Sequence, residues 1–412
     1  MKYTTFTSVL FLIISGVQLA FASDLQLVWK YARTPDGLNG IYTVRVDDQT
    51  ASMTQKRLVA ASNESRLTVI PGHGRAIHYI DSRRIESLQD LEETTTGPRP
   101  KIMLSENSRK RDLIREADFH GRGAVDVPFD GAISHSGRHM VFTVTQLVPF
   151  TTPRGDHYKE FDSRAVCVMD LHSGQVREVV PAGCWCEGPE FSPDDTMIAF
   201  YRAPLDMLQQ PGNGNSNDAF GHRLCVVPAE GGEVQVLSPP PNTIFRGLGD
   251  NNPPSWSPDG KKVLFVAQYN DPQIVLKPYD IKNPDPAAVA TYHRMIPMGI
   301  YMVDLSTRKM ERLTPADWGK GAMCPSWAPD GKRFVCILHG ELTIVDSETK
   351  TLTPVGHKAM VRCKWAPRGD LIAFDEQLGP SDTTLSVIAS GGKPYTIVKR
   401  GVLHLQQFFW CD

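Results

Sequence analysis

Pro254-Ser255-Trp256-Ser257-Pro258-Asp259-Gly260-Lys261-Lys262-Val263-Leu264-Phe265-Val266 decides how this chain is read. Pro258 presets the dihedral of a turn, Asp259 can bond the backbone around it, and Gly260 supplies a position with φ above zero. The apolar run that follows predicts a strand buried on both faces, as a strand between two stacked sheets must be. Trp256 ends the strand before the turn and is expected to fill the space between neighbouring sheets.

The stretch recurs along the chain. Pro325-Ser326-Trp327-Ala328-Pro329-Asp330-Gly331-Lys332-Arg333-Phe334-Val335 repeats it, and residues 189–200, 364–374 and 132–142 are progressively weaker copies. A second half-repeat follows each copy: a strand running into a hairpin turn at 165–174, 224–232, 300–305, 342–346 and 385–392. A short outer strand comes next, as at 310–315. Four strands per unit, repeated, predict a radial arrangement of sheets.

These motifs resemble the TolB-type, or WD40-like, propeller repeat, whose unit reads P-x-W-S-P-D-G-K-x-I-A-F followed by I-Y-x-M-D. The resemblance runs from about residue 125 to 400 and fades outside it. It implies an all-β propeller of four-stranded blades. TolB itself carries an α/β domain before its propeller. Here propeller-like sequence starts close to the N-terminus, so the resemblance is to the propeller alone.

Turn serines or their equivalents at 134, 192, 257, 328 and 366 lie 58, 65, 71 and 38 residues apart. Five blades are therefore expected at 119–181, 182–247, 248–315, 321–354 and 357–400. Residues 66–118 offer four strands without the anchor motif and read as a degenerate blade. Leu25 to Tyr31 reads as a second strand lacking a first, and Val402 to Trp410 as a first strand ending on its aromatic. Pairing them closes the ring and removes both free edges. The expected count is seven blades, or six if 66–118 is not one.

Outside the repeats, Met1-Lys2 opens the chain with positive charge, and an apolar run from Val9 to Phe21 ends on Ala20-Phe21-Ala22. This pattern predicts a cleaved signal peptide at 1–22 and a single propeller domain at 23–412. The run is shorter than the ~20 residues of a membrane span, and no later stretch is apolar enough to cross a bilayer. The expected product is a periplasmic or secreted protein that does not span the membrane. A formal net charge of −2 lacks the basic surplus of a nucleic-acid binder, so none is expected as a partner. Of the eight Cys, most read as packing residues, with one or two disulfides left open; Cys184-Trp185-Cys186 raises a redox or metal site, but no Cys-x-x-Cys completes a zinc pattern.

Function should sit where insertions collect. The connections between second and third strands (146–163, 203–222, 268–299) and between blades (239–252, 315–323) are long and emerge on one face. Polar residues placed to converge there are His157, Tyr158, Glu187, His222, Arg246, Asp250, Asn251, His293, Arg294, His357 and Arg362. Glu187, Arg246, Asp250, Asn251, His357 and Arg362 are the ligand-binding candidates, the first strands being those that line the channel. No cofactor is predicted, although a carboxylate, an amide and a histidine at the channel mouth could hold a divalent metal or an anionic sugar. Asp259 and Asp330 are turn residues by position, and His135 and His139 flank a turn and a strand. There is no Gly-x-Ser-x-Gly elbow, no His-Glu-x-x-His and no phosphate loop. The expected role is that of a binding or scaffolding protein for a protein or glycan partner at the loop-rich face. The alternative is a carbohydrate-active propeller enzyme such as a polysaccharide lyase of the oligogalacturonate-lyase kind.

Overall fold

The quoted stretch forms the turn its residues demand. Ser257 N donates to Lys262 O at 2.8 Å and Gly260 N to Ser257 O at 2.8 Å. The Ser257 hydroxyl donates to Asp259 at 2.6 Å and accepts from Lys262 N at 2.9 Å. Asp259 Oδ1 also accepts from Lys261 N at 3.1 Å, and Gly260 sits at φ 69°. The turn at Ser192 is superposable in its bonding, with Asp195 at φ 60° taking the place of glycine. Asp259 and Asp330 are thus turn residues, Asp330 accepting from Lys332 N and Arg333 N.

The computed structural model describes residues 25–31, 39–46, 53–62, 66–70, 75–80, 101–106, 109–114, 131–151, 155, 157–205, 222–237, 245–247, 252–269, 298–315, 321–377, 383–389, 395–396 and 405–411. Its sheets are antiparallel meanders. Unit 1 holds β1 (Leu25–Tyr31), β2 (Asn39–Val46) and β3 (Met53–Ser62). Unit 2 holds β4 (Arg66–Ile70), β5 (Arg75–Ile80), β6 (Lys101–Glu106) and β7 (Arg109–Ile114). Unit 3 is β8 (Gly131–Ile133), β9 (His139–Thr151), β10 (His157–Asp170) and β11 (Val176–Val180). Unit 4 is β12 (Cys184–Phe191), β13 (Met197–Pro204), β14 (Arg223–Pro228) and β15 (Gln235–Val236).

Unit 5 has a broken inner strand, β16 (Phe245–Gly247) and β17 (Ser255–Trp256), both paired to β18 (Lys262–Tyr269), followed by β19 (Met298–Asp304) and β20 (Met310–Arg312). Unit 6 holds β21 (Ala322–Trp327), β22 (Arg333–Leu338) and β23 (Glu341–Asp346). The long β24 (Leu352–Trp365) serves twice: its first half closes unit 6 against β23, and its second half opens unit 7 against β25 (Leu371–Gln377). Unit 7 ends with β26 (Thr383–Ala389) and β27 (Tyr395–Thr396). β28 (Leu405–Cys411) returns to β1, pairing Leu27 with Trp410 and Trp29 with Phe408, and completes unit 1.

The core lies between units, as the doubly apolar strands require. Along β18, Val263, Phe265 and Ala267 pack into one cluster with Ala199, Tyr201 and Val226 of unit 4. Leu264 and Val266 pack into another with Phe334 and Cys336 of unit 6. Among the described residues, anchor aromatics fill the seams from unit 3 onward: Phe191 between units 3 and 4, Trp256 between 4 and 5, Trp327 between 5 and 6, and Trp365 between 6 and 7. Trp410 does the same between units 7 and 1, beside Leu27, Leu371 and Val387. Burying one such side chain contributes roughly 1.5–3 kcal/mol.

The structure differs from the sequence reading in two connections: within 239–252, Phe245–Gly247 form β16, paired to β18. Residues 146–163 are mostly not a loop: β9 and β10 stay paired out to Thr151 and His157, a projecting two-stranded arm. Residues 1–24, where the leader is expected, and most of 203–222 and 268–299 lie outside the described residues. Seven cysteines are free and buried, matching a packing role; the Cys411 side chain lies outside the described set.

Candidate functional site

Strand register fixes which residues share the loop-bearing end. Cys184 pairs with Pro204 and Arg202 with Arg223, so the start of β12, the end of β13 and the start of β14 lie together. The same end carries the Thr151–His157 pair in unit 3, Gln268–Met298 in unit 5, and Gln377–Thr383 in unit 7. The Ser-Pro-Asp-Gly turns lie at the opposite end.

Just before its anchor, the inner strand is irregular in three units. The ladder slips between Glu187 and Glu190, between Met323 and Ser326, and between Ala359 and Cys363. Gly188 and Cys324 take φ of 57° and 53° within two of these bulges. A bulge re-aims the side chains beside it, and polar groups gather there.

Glu187 is the clearest case. Its side chain is 5% exposed, and an unpartnered carboxylate so buried would be costly. Trp185 Nε1 donates to Glu187 Oε1 at 2.5 Å. Arg164 Nη1 stands 3.9 Å away and His222 Nε2 3.7 Å away, with His222 only 1% exposed. The Arg164 guanidinium also lies 3.9 Å from the Trp185 ring centre, a cation–π contact that holds the arginine over the acid. Opposite Glu187 in the ladder, the buried Tyr201 hydroxyl donates to Asn252 O at 3.3 Å and accepts from Val266 N at 3.3 Å. Burial pushes its phenol well up, and the Glu187 charge adds to the shift.

Asn252 carries the polar chain into unit 6, its Oδ1 accepting from Cys324 N at 2.7 Å. Glu187 and Asn252 stand four residues before their anchors, Phe191 and Trp256. That shared offset was visible in sequence; their inward burial was not.

A second polar group lies in unit 7. His357 Nδ1 is 3.1 Å from Glu376 Oε1, and Ser386 Oγ donates to Glu376 Oε2 at 2.7 Å. Arg362 N donates to Asp375 Oδ1 at 2.8 Å. Burial pulls the Arg362 guanidinium down, and the Asp375 charge opposes it. Glu190 is raised by burial and lowered again by Lys364 of unit 7 and His135 of unit 3.

Of the six ligand-binding candidates, Glu187, His357 and Arg362 are seen to make polar contacts. Glu187 belongs to the unit 4 cluster and the other two to the polar group around β24 and β25. Arg246 lies on β16 opposite Gln268, with its side chain outside the described residues, and Asp250 and Asn251 fall outside them altogether. Arg164, Trp185, Tyr201, Asn252, Asp375 and Glu376 are polar partners that the sequence reading missed. No group of three His, Cys, Asp or Glu is placed to hold a metal ion among the described residues.

Comparison with solved structures fits this architecture. An oligogalacturonate lyase from Vibrio parahaemolyticus is 14% identical, with a TM-score of 0.50 over 88% of this chain and 85% of its own. A puromycin-hydrolyzing peptidase from Mycobacterium tuberculosis is 13% identical, with a TM-score of 0.55 over 92% of this chain and 51% of its own. The chain folds as a β-propeller. It thus spans about half of the peptidase's length. TolB from Acinetobacter baumannii is also similar, at 13% identity and a TM-score of 0.44 over 94% of this chain and 82% of that one. At such identities the likeness is one of fold. No protein-family model matches the propeller, and no curated protein does. No helix among the described residues is long and apolar enough to cross a membrane.

Proposed function

We propose that this propeller is a binding or scaffolding protein that receives a protein or glycan partner on its loop-bearing face, in the periplasm or outside the cell. Its seven strand groups are read as seven blades of one ring. The observation that carries the reading is the Arg164–Glu187–His222 cluster, nearly closed off from water at an inner-strand bulge. It lies at the end of the sheets that bears the insertions. The face above it is assembled from several units, which suits a broad contact rather than a single small ligand.

No resident metal is assigned. Elemental analysis of the dialysed protein should return no stoichiometric metal; a bound divalent ion would instead favour a carbohydrate-active enzyme. The binding reading is tested by comparing two charge-altered variants in cross-linked pull-downs and glycan arrays. One carries His157→Glu, His339→Glu and Lys358→Glu on the loop-bearing end, where these residues are exposed. The other carries Lys332→Glu and Glu348→Lys at the opposite end. A partner lost only with the first supports the reading, and equal retention or equal loss by both rejects it.

A further inference from the structure

Cys184 and Cys186 stand two apart on β12, so both side chains leave the same face of the strand. Their sulfurs are 3.4 Å apart, close to contact. Cys186 faces Arg202 across the ladder, and the Arg202 charge favours the thiolate form of both cysteines. Cys184 is pulled down to about 6, first by the hydrogen bond from Cys186 and then by Arg202. Burial pushes Cys186 well up, and Cys184 adds to that. Cys225, the third thiol nearby, is pushed up to about 12 by burial. The pair therefore combines one reactive sulfur with one that keeps its proton, the division of labour a dithiol needs. Cys184 is itself buried, at 2% exposure, but it is the nearer of the two to the exposed Pro181 and Gly183 at the loop-bearing end, whereas Cys186 is wholly enclosed.

We propose that Cys184 and Cys186 are a reversible redox pair, a dithiol in one state and an intrastrand disulfide in the other, set into the loop-bearing face. The oxidant is a small-molecule or protein disulfide. The Cys184 thiolate attacks one of its sulfurs, forms a mixed disulfide and expels the first thiolate, which takes up a proton. Cys186 then loses its proton and attacks Cys184 Sγ, and the second thiol leaves. Two cysteine thiols and one disulfide become one intrachain disulfide and two free thiols. Residues two apart on a strand have Cα atoms about 6.6 Å apart, near the upper limit a disulfide can bridge. Closing it draws in the start of β12, where Trp185 holds Glu187, so the bond is of the readily reduced kind.

The folded protein is equilibrated in glutathione buffers of increasing oxidation, quenched with acid and alkylated. The tryptic peptide 178–202 contains Cys184 and Cys186 and no other cysteine. It should appear progressively as a species two hydrogens lighter and unalkylated, and return to the alkylated form when glutathione is restored. Cys186→Ser should stop at a glutathione adduct on Cys184, and Cys184→Ser should give neither species. Arg202→Gln should slow alkylation of Cys184 at neutral pH several-fold, with Arg202→Lys restoring it, a readout that packing alone would not move. Full alkylation of both sulfurs in wild-type protein across the series overturns the proposal. So does pairing of either cysteine with Cys225.

Discussion

The indole of each anchor makes the same bond wherever it can. Trp256 Nε1 donates to Glu190 O at 3.1 Å, Trp327 to Ser255 O at 3.2 Å and Trp410 to Lys364 O at 3.0 Å. Each acceptor is the residue before the preceding unit's anchor. Trp365 is the exception: its Nε1 is buried with no partner among the described residues. Trp327→Phe should therefore cost about 1 kcal/mol more than Trp365→Phe, the net value of one hydrogen bond, as read from urea unfolding. A second residue-scale effect concerns acid. Asp304 is lowered from an ordinary 3.8 to about 2, chiefly by the Ser306 hydroxyl and the Thr307 amide. A group lowered by folding stabilises the protein above its unfolded value and loses that contribution as pH falls through its folded one. The urea midpoint should drop between about pH 4 and 2, and Asp304→Asn should flatten that drop; an unchanged slope would show the turn aspartate to be irrelevant.

At the scale of elements, the repeat was legible because its chemistry is local. Turn residues, an aromatic and a doubly apolar strand lie within a dozen positions, and each acts on its immediate neighbours. Even unit 2, which lacks the anchor, forms strands close to those expected from 67–70, 76–80, 101–104 and 112–115. The arm of β9 and β10 was misread as a loop because its polar alternation says nothing about where pairing stops. The shared strand β24 was hidden for a related reason: Pro354 and Gly356 look like a break, but the backbone runs through them. The site was less legible than the fold. Glu187 is recognisable as a charge near an anchor, whereas Arg164 reaches it from the neighbouring unit 3 and His222 from the residue before β14, approaches that only the packed sheets create. The pairing of β28 with β1 offers the sharpest test at this scale. Trp410→Ala removes a seam aromatic and its bond together and should cost about 3–5 kcal/mol in urea unfolding.

For the whole molecule, stability among the described residues is spread over five seams of similar make, each joining one unit to the next. Such an assembly gains from every neighbour added, and a unit without both neighbours leaves an apolar face in water. The polar clusters of units 4 and 7 sit at one end of these seams, so they are positioned by packing that no single unit supplies. The strand that completes unit 1 also has a place in time. Leu405 lies 374 positions after Tyr31 (405 − 31), so β1 is made long before its partner exists. At ribosomal speeds of about 5–20 residues per second, that interval lasts roughly 20–75 s. For all of it the first-made edge is an unpaired strand, open to any extended segment it meets. A chaperone that shields that edge until synthesis is nearly complete would thus govern the yield of this protein more than the stability of the finished ring does.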